Sequence, residues 1–326
     1  MYLKLCVLCA IIIFSIPFSS CKKKDNEDPV PSNSQATSNL RSARLGSFYD
    51  FYTSNSAPLQ SFTVNAAAGG RFVLPNGTRV VVPANCFLNM LDKPILGSVT
   101  LQFKEVYSKC DMLLNQVFST VQDGSNFKSA GVFYINVLNN GMPVKFVSGK
   151  SILVKQPFKG FPVDPSMMAM AYRDSTTKDG IKLLPNRWLN SLFNKLDVGV
   201  SYYNHKVLAL EGVPGFGMWC NTGTPTYFTS LTNTTLTINE SVATGMDVFV
   251  VYDDVKTVVK VEKVGTSYVY PKASLGQKCT VVALSIDNNN VSASFMPLTI
   301  SANLIVDPVL VPTTEAALLA QLKTLN

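Results

Sequence analysis

One histidine and two tryptophans serve 326 residues, and only 15% of the chain is charged. Histidine supplies most general acid–base chemistry near neutral pH, so its scarcity removes the common catalytic constellations. His205 stands beside Tyr202, Tyr203 and Lys206, where a single histidine reads as a surface or interface residue. The chain has no His-Glu-x-x-His, no Gly-rich phosphate loop and no Ser elbow. The cysteine spacing is not that of a zinc site, and Asp253-Asp254 without an oxygen-rich loop is too little for calcium; no metal and no cofactor are expected. The acids are few and mostly read as turn residues, as Asp123, Asp174, Asp253, Asp254 and Asp287 do, so no pair is evidently set for glycoside hydrolysis. No Arg-rich stripe accompanies the net charge of +7, and nucleic acid is not an expected partner.

A long apolar run is also lacking. Leu5 to Phe18 is interrupted by Ser15 and Pro17 and falls short of the ~20 residues of a spanning helix. With Lys4 before it, the run reads instead as the core of an export signal. Ser19-Ser20-Cys21 then matches the cleavage box of a bacterial lipoprotein, which puts lipid on Cys21 and makes it the mature N-terminus. A signal cleaved without lipidation is the alternative. Cys6 and Cys9 leave with residues 1–20. Residues 21–45 are rich in Ser, Asn, Pro, Lys and Asp and too poor in apolar groups to fold alone; they read as a flexible tether. Lys22 to Lys24 would lie against anionic headgroups, at about 1 kcal/mol each. A lipidated Cys followed by Asp25, Glu27 and Asp28 resembles the surface-export signal of Bacteroidetes lipoproteins, with three lysines intervening. The expected location is the outer membrane, lipid-anchored and surface-exposed.

The body that follows has the rhythm of strands. Arg71 to Leu74 and Arg79 to Val82 flank Pro75-Asn76-Gly77-Thr78, a hairpin signal in which Asn-Gly favours positive φ at both central positions. Val99, Leu101 and Phe103 alternate as in a half-buried strand. Val132 to Val137, Asn139-Asn140-Gly141, Val144 with Phe146, and Ile152 with Val154 continue the pattern. Strands every ten or so residues with turn chemistry between them predict a β-sandwich over 46–158.

Four cysteines remain besides Cys21: Cys86, Cys110, Cys220 and Cys279. An exported protein can oxidise its thiols. Cys86 and Cys110 both fall in the first β-region and are the favoured pair; four buried thiols acting as small hydrophobes is the alternative.

Gly69-Gly70-Arg71-Phe72-Val73-Leu74-Pro75-Asn76-Gly77, then Val82-Pro83-Ala84-Asn85-Cys86-Phe87, resembles the opening of a ZU5-type β-sandwich. The continuation is similar to a group of Bacteroidetes lipoproteins of unassigned function: Gly97 to Thr100, Lys104-Glu105-Val106, Asp111-Met112 and Ser129 to Phe133. The likeness covers roughly residues 60 to 157. Cys86 replaces a usual Ala and Cys110 a usual Gly, which is a further reason to favour their pairing. ZU5-type domains are known mainly as interaction modules, so the resemblance implies binding or scaffolding and carries no catalytic residue. Lys104-Glu105 matches the family's Lys-Glu pattern, and either charge can pair with a residue of a neighbouring strand.

Residues 159–225 read as an irregular bridge. Trp188, Leu189, Leu192, Phe193 and Leu196 have helical spacing. Phe216 to Asn221 is similar to the stretch that follows the first domain in the same lipoproteins, with Thr222 where an Asp is usual. A second β-domain with a C-terminal helix is expected over 226–326. Its strands fall at Thr235–Ile238, Val248–Tyr252, Val255–Val261, Tyr268–Tyr270 and Cys279–Ile286, and Leu318, Leu319, Leu322 and Leu325 form one helix face.

The expectation is therefore an all-β fold of two sandwich-like domains. The expected function is non-enzymatic, a lipid-anchored binding or scaffolding module with the membrane and an unknown protein or glycan as partners. Carbohydrate capture beside a glycan-degrading system is the alternative, with Trp188 and Trp219 as the stacking surface. Phe48, Tyr49, Phe51 and Tyr52 are further aromatic candidates, though core packing is the commoner use of such residues. Asp174-Ser175-Thr176 fits a Bacteroidetes O-glycosylation pattern, with Ser175 as the acceptor.

Overall fold

A computed structural model describes residues 47–121, 124–159, 164–173, 188–190, 194–199, 201–208, 217–224, 227–228, 231–241, 245–287 and 289–326. The signal, the tether, Cys21 and Ser175 lie outside the described residues.

Among the described residues, helix α1 (Phe48–Asn55) comes first. The first β-body then runs β1 (Gln60–Asn65), β2 (Gly70–Val73), β3 (Arg79–Val82), β4 (Phe87–Leu88), β5 (Ser98–Val106), α2 (Lys109–Leu114), β6 (Lys128–Asn139), β7 (Met142–Pro143), β8 (Lys145–Phe146), β9 (Ile152–Pro157), β10 (Met168–Arg173), β11 (Leu189–Asn190), β12 (Asn194–Val198), β13 (Tyr202–Val207) and β14 (Met218–Thr224). The second runs β15 (Asn233–Asn239), β16 (Asp247–Tyr252), β17 (Val258–Val264), β18 (Ser267–Ser274), β19 (Lys278–Asp287), β20 (Asn290–Thr299), β21 (Leu304–Val306) and β22 (Val311–Thr313), and α3 (Glu315–Lys323) follows. The fold is all-β with a short C-terminal helix.

The first body is built on two facing sheets, in the orders β1-β5-β6-β14-β10-β11 and β12-β13-β9-β3-β2, with β7 paired to β6 and a small separate β4–β8 sheet. Alternation builds the core between them. Val99, Leu101 and Phe103 of β5 and Phe133, Ile135 and Val137 of β6 meet Val80, Val82, Ile152, Val154 and Val207 from the other sheet. Phe103 and Phe133 stack at 5.2 Å between ring centres. The β2–β3 hairpin forms as expected, with Phe72 opposite Val80. Its turn is longer than a two-residue Asn-Gly turn. Gly77 N–H donates to Leu74 O at 2.8 Å and Leu74 N–H to Thr78 O at 2.8 Å, and the positive φ falls on Gly77 (+88°) but not on Asn76. Asn140 and Gly141, both at positive φ, make the tight two-residue link from β6 to β7.

The irregular bridge is not what residues 159–225 form. Their described part holds β10 to β14, which supply three strands to one sheet and two to the other, so the first body extends to Thr224. The spacing from Trp188 to Leu196 reads as helical, but Leu189 and Leu196 lie in strands β11 and β12. Pairing with neighbouring strands overrides so weak a local preference.

The second body follows the order β21-β15-β18-β17-β16-β19-β20-β22. Strand β17 pairs with β16 through Val258 to Val261 and with β18 through Glu262 to Val264, so one strand passes from one half of the body to the other. Val248 and Val250 face a core with Leu236, Ile238, Val259, Tyr270 and Val281. Phe249 and Val251, one residue out of phase, face away from it.

That outward face is also buried. Phe249, Val251, Val282 and Leu284 share a cluster with Phe51 of α1, Leu113 of α2, Leu318 and Leu322 of α3, and Val132, Met170 and Trp219 of the first body. The two sandwiches are joined through a layer of short helices, with apolar cores within each body and another between them. Ser47, Ser108 and Thr314 cap α1, α2 and α3, each side chain accepting a backbone N–H three residues on. Leu319 of α3 and Leu325, just beyond the helix end, pack at the margin of the buried pair.

Candidate functional site

The sequence-level candidates do not converge. Trp188 and Trp219 are 2% and 4% exposed, which withdraws them as a ligand-stacking surface. Trp188 Nε1–H donates to Phe118 O at 2.7 Å, and its ring meets Phe127 edge-on. Trp219 lies against the Tyr134 ring. Both are core residues because each ring buries a large apolar area. Of the aromatic run, Phe51 and Tyr52 are buried in α1, where Tyr52 OH donates to Asp247 Oδ2 at 2.8 Å, while Tyr49 faces solvent.

The expected Cys86–Cys110 bond is not formed. Cys86 belongs to the first sandwich core and Cys110 to the layer between the bodies, so the two thiols face different cores. Cys220 and Cys279 are likewise buried and outside any disulfide. Burial pushes the Cys86 thiol up to about 11 and those of Cys110 and Cys279 up to about 12, away from thiolate chemistry.

His205 is a core residue too, fully buried. Its strand alternates Tyr203, His205 and Val207 inward. Nε2 lies 2.7 Å from Thr222 Oγ1 and 3.2 Å from Gln156 Oε1, and the ring meets Phe133 edge-on. Burial lowers its pKa to about 3, so it stays neutral and serves as a hydrogen-bonding member of the core.

Glu105 organises a turn. Its Oε2 accepts from Asn76 N–H at 3.0 Å and Gln60 Nε2 at 3.3 Å, and its Oε1 from the Thr78 hydroxyl at 2.5 Å and Thr78 N–H at 3.3 Å. The residue is 2% exposed, so these donors hold a buried carboxylate in place of water. Among the described residues, no group of three His, Cys, Asp or Glu side chains is placed to hold a metal ion.

The group of chemical interest lies where the two bodies meet. A recess of about 330 Å³ is lined by Asn76, Tyr107, Lys109, Asp111, Lys159 and Lys256 among others. Lys109 and Lys256 are 3% and 2% exposed. Lys109, the first residue of α2, donates to Tyr252 O at 2.6 Å and Asp253 O at 2.8 Å in the second body. Lys256 donates to Ala130 O at 3.0 Å and Lys159 O at 3.2 Å in the first. Taking an ammonium out of water costs several kcal/mol; hydrogen bonds from a charged donor return about 1.5–3 kcal/mol each. Burial, together with repulsion from Lys109, lowers the Lys256 pKa to about 8. Burial lowers Lys109 as well, opposed by Asp253 and Asp254.

Neither lysine was found from the sequence. The available signals were small: Ser108-Lys109-Cys110-Asp111 is a helix-start pattern, and Lys256 interrupts a run that otherwise reads as an apolar strand.

No protein-family model and no curated protein matches the chain.

Proposed function

We propose that this chain is a lipid-anchored protein of the cell envelope that acts as a non-enzymatic binding or scaffolding module, held at the outer membrane through Cys21. The observation that carries the non-enzymatic part is the fate of its reactive groups. His205 is sealed in the first sandwich and the four described cysteines are buried, so each serves packing where a catalyst needs access and a pKa near the working pH.

The anchor rests on Ser19-Ser20-Cys21 behind an export-type leader. Two or more acyl chains hold a protein firmly where one would not. A tether of residues 21–45 spans roughly 25–30 Å as a coil, enough to carry the β-body clear of the headgroups. The ZU5-type resemblance of residues 60 to 157 supports an interaction role. Two sandwiches fused through a shared apolar core suit a scaffold, because they present their end loops in fixed relation. Carbohydrate capture through Trp188 and Trp219 is disfavoured by their burial.

Metabolic labelling with palmitate, followed by detergent-phase partition, tests the anchor. The wild type is expected to carry label and enter the detergent phase. Cys21→Ala is expected to do neither, and an unlabelled wild type would refute the anchor.

A further inference from the structure

We infer that the recess between the two sandwiches is a binding site for a small ligand carrying an oxyanion, a carboxylate or a phosphate. This rests on reading the chain as a binding module, and it names the chemistry such a module would recognise.

The first support is charge. Lys109, Lys159 and Lys256 line the recess, and Asp111 is the acidic side chain among its lining residues. Three lysines stand against one aspartate in the lining, with Asp253 and Asp254 acting on Lys109 from beside it, so lysine charge predominates at the walls. Two of the three are almost wholly withdrawn from water, so the surrounding protein screens them less than solvent would. The repulsion between Lys109 and Lys256 that helps lower the latter is what an anion set between them would relieve.

The second is access and size. Lys159 lines the recess and is exposed, so it is open to a ligand from solvent while the two buried lysines supply field. The recess, at about 330 Å³, lies at the lower end of small-molecule pockets and suits a group the size of phosphate or one acidic sugar. Asn76 and Ser108 also line it and bring neutral polar groups to the walls.

The third is placement. The recess takes its walls from both bodies: the β2–β3 turn and α2 from the first, and Lys256 from the second. Asn326 joins them, its Oδ1 accepting from Cys110 N–H at 3.2 Å. A ligand seated there touches both sandwiches and stabilises their docking by mass action.

Calorimetric titration of the full-length chain in detergent tests the inference, with inorganic phosphate, galacturonate and neutral galactose as probes at constant ionic strength. Saturable one-to-one binding of phosphate, galacturonate or both is expected, and none of galactose. Binding of phosphate alone or galacturonate alone identifies which oxyanion the walls fit. Lys159→Ala, at an exposed position, is expected to fold and to weaken binding at least about tenfold, a loss of ~1.4 kcal/mol. Lys256→Gln should weaken it further where it folds. The inference is overturned if neither anion binds, if galactose binds equally well, or if Lys159→Ala binds as the wild type does. A protein that is lipidated at Cys21 yet binds neither anion keeps the anchored-module reading and loses this site.

Discussion

Lys109 and Lys256 cross the junction of the two sandwiches in opposite directions. Lys109 leaves the first body to hydrogen-bond the carbonyls of Tyr252 and Asp253, and Lys256 leaves the second to hydrogen-bond those of Ala130 and Lys159. Backbone bonds run alongside, from Ser119 N–H to Val258 O at 2.7 Å and from Ser129 N–H to Lys256 O at 3.0 Å. Thr257 Oγ1 adds a bond to Phe127 O at 2.9 Å. The junction is thus hydrogen-bonded where the recess opens and apolar beneath the helices.

The lysines make stability depend on alkaline pH. Stability rises with pH wherever the unfolded chain holds more protons than the folded one. Between about 8 and 10.5, Lys256 is protonated when unfolded and neutral when folded. It therefore contributes a slope of up to ~1.4 kcal/mol per pH unit across that window. Buried thiols with raised pKa values act the other way above pH 9. The difference between wild type and Lys256→Gln isolates the lysine. Urea unfolding midpoints at pH 7 to 10 should show the wild type gaining on the variant as pH rises, and parallel curves would contradict the assignment.

His205 sets an acid limit. Its folded pKa, about 3, lies below the ordinary 6.5, so the unfolded chain takes up a proton in that window and the folded chain does not. Stability should fall as pH drops from 6.5 towards 3, again by up to ~1.4 kcal/mol per unit from this residue. Nitrogen chemical shifts of the imidazole between pH 8 and pH 5 should stay those of a neutral ring. A midpoint near 6.5 would mean that the ring reaches water.

The thiols should be silent in the native state. For Cys86, raised from 9.0 to about 11, the thiolate fraction falls about a hundredfold before access is considered. Iodoacetamide should leave Cys86, Cys110, Cys220 and Cys279 unmodified in the folded protein and alkylate all four in denaturant without prior reduction. A requirement for reductant would restore the disulfide.

Glu105 and Gly69 anchor the first sandwich. Glu105→Ala strips acceptors from Asn76 N–H, Thr78 and Gln60 and should cost about 3 kcal/mol, since buried donors are left unpaired. Gly69 has φ +74°, and a Cβ there would lie 2.3 Å from Val82 O. Gly69→Ala should therefore cost at least about 2 kcal/mol through backbone strain and the shift it forces. Chemical denaturation of either variant measures the loss, and a wild-type midpoint would contradict the packing described.

The strands that alternate were legible in the sequence. Val99-Leu101-Phe103 and the β2–β3 hairpin were placed from period and turn residues alone, as were the strands from Val248 to Ile286 and the leucine face of α3. The middle was not, for two reasons. Strand β14 is buried at all seven positions and so has no alternation to read. The apolar spacing from Trp188 to Leu196 satisfies a helical template as well as short strands. The interior position of His205 was within reach, since Tyr203, His205 and Val207 alternate. The lysine recess was out of reach, because Lys109 and Lys256 lie far apart in sequence and meet only when the second body docks on α2. The same docking explains the cysteines: sharing the first β-region put Cys86 and Cys110 together, but α2 turns Cys110 towards the second body.

Protease shaving of intact native cells, with Cys21→Ala in parallel, tests the central claim most directly. The account predicts that external protease removes the wild-type β-body from whole cells and that the Cys21→Ala protein is released or mislocalised. A wild-type protein that survives on intact cells and is degraded only after lysis would contradict display at the surface.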